Sequence, residues 1–269
     1  MDALVCTASD GVRCVARVAG RTGEPVIFVH GVGSTAEIWA PQLSSLSRYF
    51  RCAAVELRGN GVAPVPSNLS SITRTGFARD ALAVADALGV DRFHLVGCGL
   101  GGIVGLELWR LAPERIASLC LLDSFAAYPD GEAVAACIID DVLAAPSLVT
   151  YSEGRANLVL PPRAPAYRRT DSVRQMSSKD RRAFTRFTLA TWTGDYRPFL
   201  AGITVPTLVL WGAHDAIVPR ALCEELAVGI PGAHLVTVPD AGHHSHADTP
   251  SFVGAALEAF IGAIPNLRA

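Results

Sequence analysis

Six short apolar runs recur along the chain, most separated by a segment long enough for a helix, and this rhythm restricts the fold to alternating strands and helices. The runs are Pro25 to His30, Cys52 to Leu57, Phe93 to Gly97, Leu119 to Asp123, Thr207 to Gly212 and His234 to Val238. Helical candidates are Ala36 to Arg48, Phe77 to Leu88, Gly102 to Ala112, Arg220 to Ala227 and Pro250 to Ile261. Such alternation predicts an α/β protein with a mostly parallel sheet and helices on both faces. Ahead of these runs, Asp10-Gly11 is placed to close a hairpin. The rhythm stops from about Ser124 to Leu200, where Pro146, Pro161, Pro162 and Pro165 punctuate helix-like pieces. That stretch reads as a mainly helical cap inserted after a strand, over the carboxyl ends where open α/β sheets bind ligands. The expected organisation is a core of residues 1–123 and 201–269 with a cap of residues 124–200.

Half of the 269 residues are hydrophobic, so a sizeable core is expected. A net charge of −2, with acids and bases spread along the chain, argues against nucleic acid as a partner. The seven cysteines form no Cys-x-x-Cys pair, which points to reduced thiols and a cytoplasmic protein. The run Met1 to Cys6 lacks the basic start and long apolar stretch of a signal peptide and no later apolar run reaches membrane-spanning length, so a soluble intracellular protein is expected. The expected partner is a small-molecule substrate, with no membrane and no cofactor; a homodimer is compatible with the sequence.

The third apolar run leads into Leu95-Val96-Gly97-Cys98-Gly99-Leu100-Gly101-Gly102, a strand, a glycine-rich turn and a helix start. This resembles the nucleophile elbow, Gly-x-Ser-x-Gly, of the α/β-hydrolase family. Gly97 and Gly101 match the flanking glycines, and Gly99 stands at the serine's place. Cys98 does not substitute for it. A shift of one residue would need glycines where Val96 and Leu100 stand, and on a strand it would turn the side chain to the other face.

Three further segments resemble the same family in its chain order. His30-Gly31-Val32-Gly33 is similar to the oxyanion-hole loop, which implies that the backbone N–H groups of Val32 and Leu100 face a developing oxyanion. In Val205 to Asp215, a strand ending in Trp211-Gly212 precedes Asp215, which matches the triad acid; Asp123, after another strand, is the rival. Ala241-Gly242-His243 resembles the catalytic-histidine loop, with His243 as base. His244 and His246 beside it invite a metal reading, but the resemblance already explains the segment and no metal is expected. Glu56 to Gly61 looks like a family loop of structural role. The expected substrate-binding set is His30, Gly31, Gly33, Cys98 and, from the cap, Trp192, with Phe184, Phe187 and Tyr196 as further aromatics.

Between residues 163 and 186 the cap carries Arg163, Arg168, Arg169, Arg174, Lys179, Arg181, Arg182 and Arg186 against only Asp171 and Asp180. This excess would draw an anionic substrate if it faced the cleft, but a solvated helix face explains it more simply.

Glycine at 99 removes the attacking atom and is expected to leave space beside His243 for water or substrate. The resemblance implies a hydrolase of a small carboxylic ester or lactone whose serine route is disabled. Two alternatives stand: a lyase or cofactor-free oxygenase using His243 and Asp215 as a general base, or a ligand-binding pseudoenzyme.

Overall fold

The computed structural model describes residues 2–265. Its strands are β1 (Asp2–Thr7), β2 (Arg13–Ala19), β3 (Pro25–Val29), β4 (Arg51–Glu56), β5 (Phe93–Cys98), β6 (Ile116–Leu122), β7 (Thr207–Gly212) and β8 (His234–Val238). They form one sheet in the order β1-β2-β4-β3-β5-β6-β7-β8. From β4 to β8 every pairing is parallel, while β1 and β2 form an antiparallel hairpin that adds antiparallel to β4. Asp10-Gly11 lies in the β1–β2 turn as expected, with Gly11 at φ +80°.

Successive residues of the central strands feed two separate cores, because side chains alternate across a sheet. Val26 and Phe28 face Trp39, Leu43 and Leu46 of the α1 region together with Val253 and Leu257 of α11 (Pro250–Gly262). Ile27 and Val29 face the opposite way, toward α2 (Arg74–Ala87) and α3 (Leu100–Leu111). The helix expected over Ala36 to Arg48 is divided into a single turn, Ala36–Trp39, and α1 (Ala40–Leu46). Pro41 stands in the first turn of α1, where its missing N–H costs nothing, so it starts a helix more readily than it continues one.

Between β6 and β7 lie α4 (Gly131–Ala144), α5 (Leu148–Val159), α6 (Ala166–Ser177), α7 (Arg181–Trp192) and α8 (Arg197–Leu200), and no strand among the described residues. Side-chain caps define two of their starts: Ser147 accepts the Thr150 N–H and Asp180 accepts the Ala183 N–H. The core ends with α9 (Arg220–Gly229), β8, α10 (Ser245–Asp248) and α11. Among the described residues no helix is long and apolar enough to cross a membrane.

A buried ionic knot ties the hairpin to the parallel part. Arg58, just after β4, meets Asp80 of α2 at 2.6 Å and Asp10 of the β1–β2 turn at 2.7 Å, and its backbone N–H also donates to Asp80. Removing one member of a buried pair leaves an uncompensated charge, which typically costs about 3–5 kcal/mol. Asp80→Ala is therefore expected to lose about that much stability in urea unfolding. A loss below about 1 kcal/mol, the range of an exposed pair, would contradict this role.

Candidate active site

The turn from β5 into α3 places Gly99 at φ +54°, ψ −116°, a conformation strained for any residue with a Cβ. The positions two residues to either side, 97 and 101, are glycines because backbones nearly touch. A Cβ on Gly101 would lie 2.0 Å from the Val29 carbonyl oxygen, and one on Gly97 would lie 2.2 Å from that of Gly101. This packing aims the start of α3 out of the sheet at the carboxyl ends of the strands.

Over that point stands His243, on the loop after β8. Its Nδ1–H donates to Asp215 Oδ2 at 2.9 Å. Asp215 follows β7, and its other oxygen accepts the N–H groups of Ile217 and Val218 at 2.7 and 2.9 Å, so the carboxylate is fixed before it meets the imidazole. Burial disfavours the imidazolium, yet the charge and hydrogen bond of Asp215 outweigh it and hold the His243 pKa above the ordinary histidine value.

Asp123 does not contact His243 directly. It takes the Gly212 N–H at 2.7 Å and the Ser245 N–H at 3.1 Å, and so clips the end of β7 to the start of α10 on either side of the base. Burial first, then the Asp215 charge, push its pKa up to about 8. Its backbone sits at φ +48°, a sparsely populated region for a residue with a Cβ. Among the described residues, no group of three or more His, Cys, Asp or Glu is placed to hold a metal ion.

His243, Gly99, Leu100 and Val32 line one cavity with about 50 Å³ open to the centre of a water molecule, enough for a few waters. Its far wall comes from the inserted helices: Tyr151, Arg155 and Val159 of α5, Met176 of α6, and Phe184, Thr188 and Trp192 of α7. No backbone hydrogen bond to a described residue is made by the N–H of Val32 or Leu100. Both amides are thus left without a backbone acceptor in residues that line the cavity beside the imidazole.

Of the expected substrate-binding set only Trp192 lines the cavity, together with Phe184 and the expected oxyanion-hole residues Val32 and Leu100. His30 does not: it is buried beneath the loop, donating to the Gly31 carbonyl at 2.9 Å and accepting the Leu57 N–H at 3.2 Å, so both ring nitrogens are committed to shaping the backbone. Gly31 packs on the Cys98 carbonyl and the elbow, and Gly33, at φ +84°, lies against Met176. Cys98 is fully buried behind the elbow, its thiol donating to the His243 carbonyl at 3.5 Å, and burial raises its pKa well above the usual thiol value. Phe187 and Tyr196 pack instead, on Phe77 and against Glu107.

Nor does glycine leave a full vacancy beside the base. A Cβ built on Gly99 would lie 3.2 Å from His243 Nε2, so the imidazole takes up part of the space a side chain would need.

The basic stretch faces elsewhere. Arg168 pairs with Asp248 at 2.9 Å, Arg174 with Asp171 and Glu37, and buried Lys179 donates to the Ser34 carbonyl at 2.7 Å and to Asn60. Burial pushes Lys179 down to about 7. These groups fasten the inserted helices to the core. Arg155 and Tyr151, which do reach the cavity, escaped the sequence reading because their spacing fits any amphipathic helix.

A sheet of this topology, an elbow at Gly99 and an Asp–His pair at the strand ends define one class of protein. The chain belongs to the alpha/beta hydrolase family, whose model matches residues 26–256. Among its relatives is "Putative carbamate hydrolase RutD" of Azorhizobium caulinodans, 31% identical over 253 residues that cover 90% of this chain and 92% of that protein. Among solved structures, a hydrolase from Pseudomonas aeruginosa superposes with a TM-score of 0.89 at 31% identity, covering 97% of this chain and 99% of that one. A malate-bound thermophilic esterase from Thermogutta terrifontis also gives 0.89, at 25% identity, covering 99% and 100%.

The electrostatics of His243 can be read directly by NMR titration of its ring protons. The imidazole is expected to titrate above 6.5 in the parent chain and to fall below 6.5 in Asp215→Asn, where burial acts without its counter-charge. Identical titration in the two proteins would contradict the pairing.

Proposed function

We propose that this chain hydrolyses a small acyl compound, a carboxylic ester, lactone or carbamate, with His243 as general base on water and without a covalent acyl-enzyme. The observation that carries this reading is the convergence on one cavity of the Asp215-oriented imidazole and the free N–H groups of Val32 and Leu100, at an elbow whose residue has no hydroxyl. Carbamate joins the substrate classes through the name of the Azorhizobium relative.

In this mechanism a water proton passes to His243 Nε2 as the water oxygen attacks the carbonyl carbon. The carbonyl oxygen gains the negative charge and accepts from the Val32 and Leu100 amides. Asp215 stabilises the imidazolium, which returns the proton to the departing alkoxide or amine as the tetrahedral adduct collapses. The base must be neutral to act, so the rate rises with pH through the raised pKa of His243.

A second reading uses the same base on a carbon-bound proton of the substrate, as a lyase or cofactor-free oxygenase would. It is favoured by the apolar lining of Phe125, Ile138, Val159 and Phe184, which limits water at the base.

Losing the nucleophile of a triad hydrolase costs roughly six orders of magnitude in turnover, of which the oxyanion donors and binding retain part. On short p-nitrophenyl esters and lactones, Gly99→Ser is expected to exceed the parent chain by roughly 10³-fold or more. The imidazole must give way by a few tenths of an ångström to admit the new side chain. His243→Ala should lower the parent's own hydrolysis by about 10²–10⁴-fold. Parent hydrolysis that survives His243→Ala would remove the base from the mechanism, and equal inertness of parent and Gly99→Ser would shift weight to the lyase reading.

A further inference from the structure

Helix α5 turns Tyr151, Arg155 and Val159, each four residues from the next, toward the cavity beside His243. Val159 anchors that face, because its carbonyl accepts the backbone N–H of His243 at 2.9 Å. Arg155 thus stands one helical turn from the residue that holds the base loop.

The guanidinium lies 5.8 Å from the centre of the Tyr151 ring and makes no ion pair with a described residue. Arg168, Arg174 and Lys179 of the same helical layer all have partners. Of the nearby carboxylates, Asp215 is engaged by His243 and two amides and Asp123 by two amides, while Asp141, close enough to act on Tyr151, makes no ion pair with Arg155. Tyr151 is only 8% exposed, and its hydroxyl has no hydrogen-bond partner. A buried hydroxyl without an acceptor is costly to leave unmatched, and the half-buried Arg155 beside it is a cation without a counter-ion. A carboxylate satisfies both, since it carries the opposite charge and accepts several hydrogen bonds.

We infer that Arg155 binds a carboxylate of the substrate, so that the site takes a short anionic acyl compound: a free carboxylate at the α5 end and the ester, lactone or carbamate group at the His243 end. This rests on the cavity being the substrate site and deepens the proposed function by naming the substrate's charge.

The test measures binding without turnover, by calorimetry in a His243→Ala background, with monoethyl succinate as the anionic probe and diethyl succinate as the neutral one. The monoanion is expected to bind at least about 10-fold tighter, the scale of one charge-assisted contact. Adding Arg155→Gln should bring the ratio of monoanion to diester affinity down to about 1, and Arg155→Lys should keep part of the preference. Equal affinities before Arg155 is changed, no detectable binding of monoethyl succinate, or a preference that survives Arg155→Gln would overturn the inference. Because no hydrolysis is read, failure of the general-base mechanism leaves this result interpretable.

Discussion

Between β5 and α3 the backbone runs against β3 so closely that a single methyl group at Gly101 would collide with the Val29 carbonyl. This contact sets the direction of α3, frees the Leu100 amide at its first turn and holds Gly99 in a left-handed conformation facing His243. In a serine hydrolase the strain of that conformation, on the order of 1–3 kcal/mol, supports the nucleophile. Here glycine relieves the strain while the surrounding backbone keeps its shape. The donors that would stabilise an oxyanion belong to that backbone, so they persist without a serine.

The second constraint is electrostatic. His243 is buried, and on burial alone its imidazole would resist protonation; Asp215 reverses that preference. Asp215 can do so because two amides hold it, and Asp123 braces the ends of β7 and α10 from behind. A ligand-binding pseudoenzyme has no evident need of such an oriented base. The oriented imidazole fits proton transfer at His243 better than mere retention of a pocket.

Much of the fold was legible because parallel strands buried on both faces must be apolar. Thr207 to Gly212 and His234 to Val238 match β7 and β8, and the core helices shift by only a few residues. The start of α3 two residues earlier than expected follows from the cap role of Gly99, which apolar periodicity does not register. The pairing of Asp215 with His243 and the placement of Val32 and Leu100 at the cavity followed short motifs whose geometry is local. His30 and Cys98 lie buried outside the cavity lining, since neighbourhood in sequence does not say which face of a turn a side chain takes. Arg155 was invisible for the converse reason: its environment is assembled from the β5–α3 turn and the His243 loop, both far away along the chain.

The central claim is that this chain keeps the base and the oxyanion donors of its family but forms no acyl-enzyme. The most direct test is intact-protein mass spectrometry during exposure to p-nitrophenyl acetate, with peptide mapping, on the parent chain and on Gly99→Ser. The parent chain is expected to gain no acetyl group in its cavity, whereas the variant carries one transiently at position 99. A transient acetyl group in the parent chain, on Cys98 or another residue near His243, would contradict it.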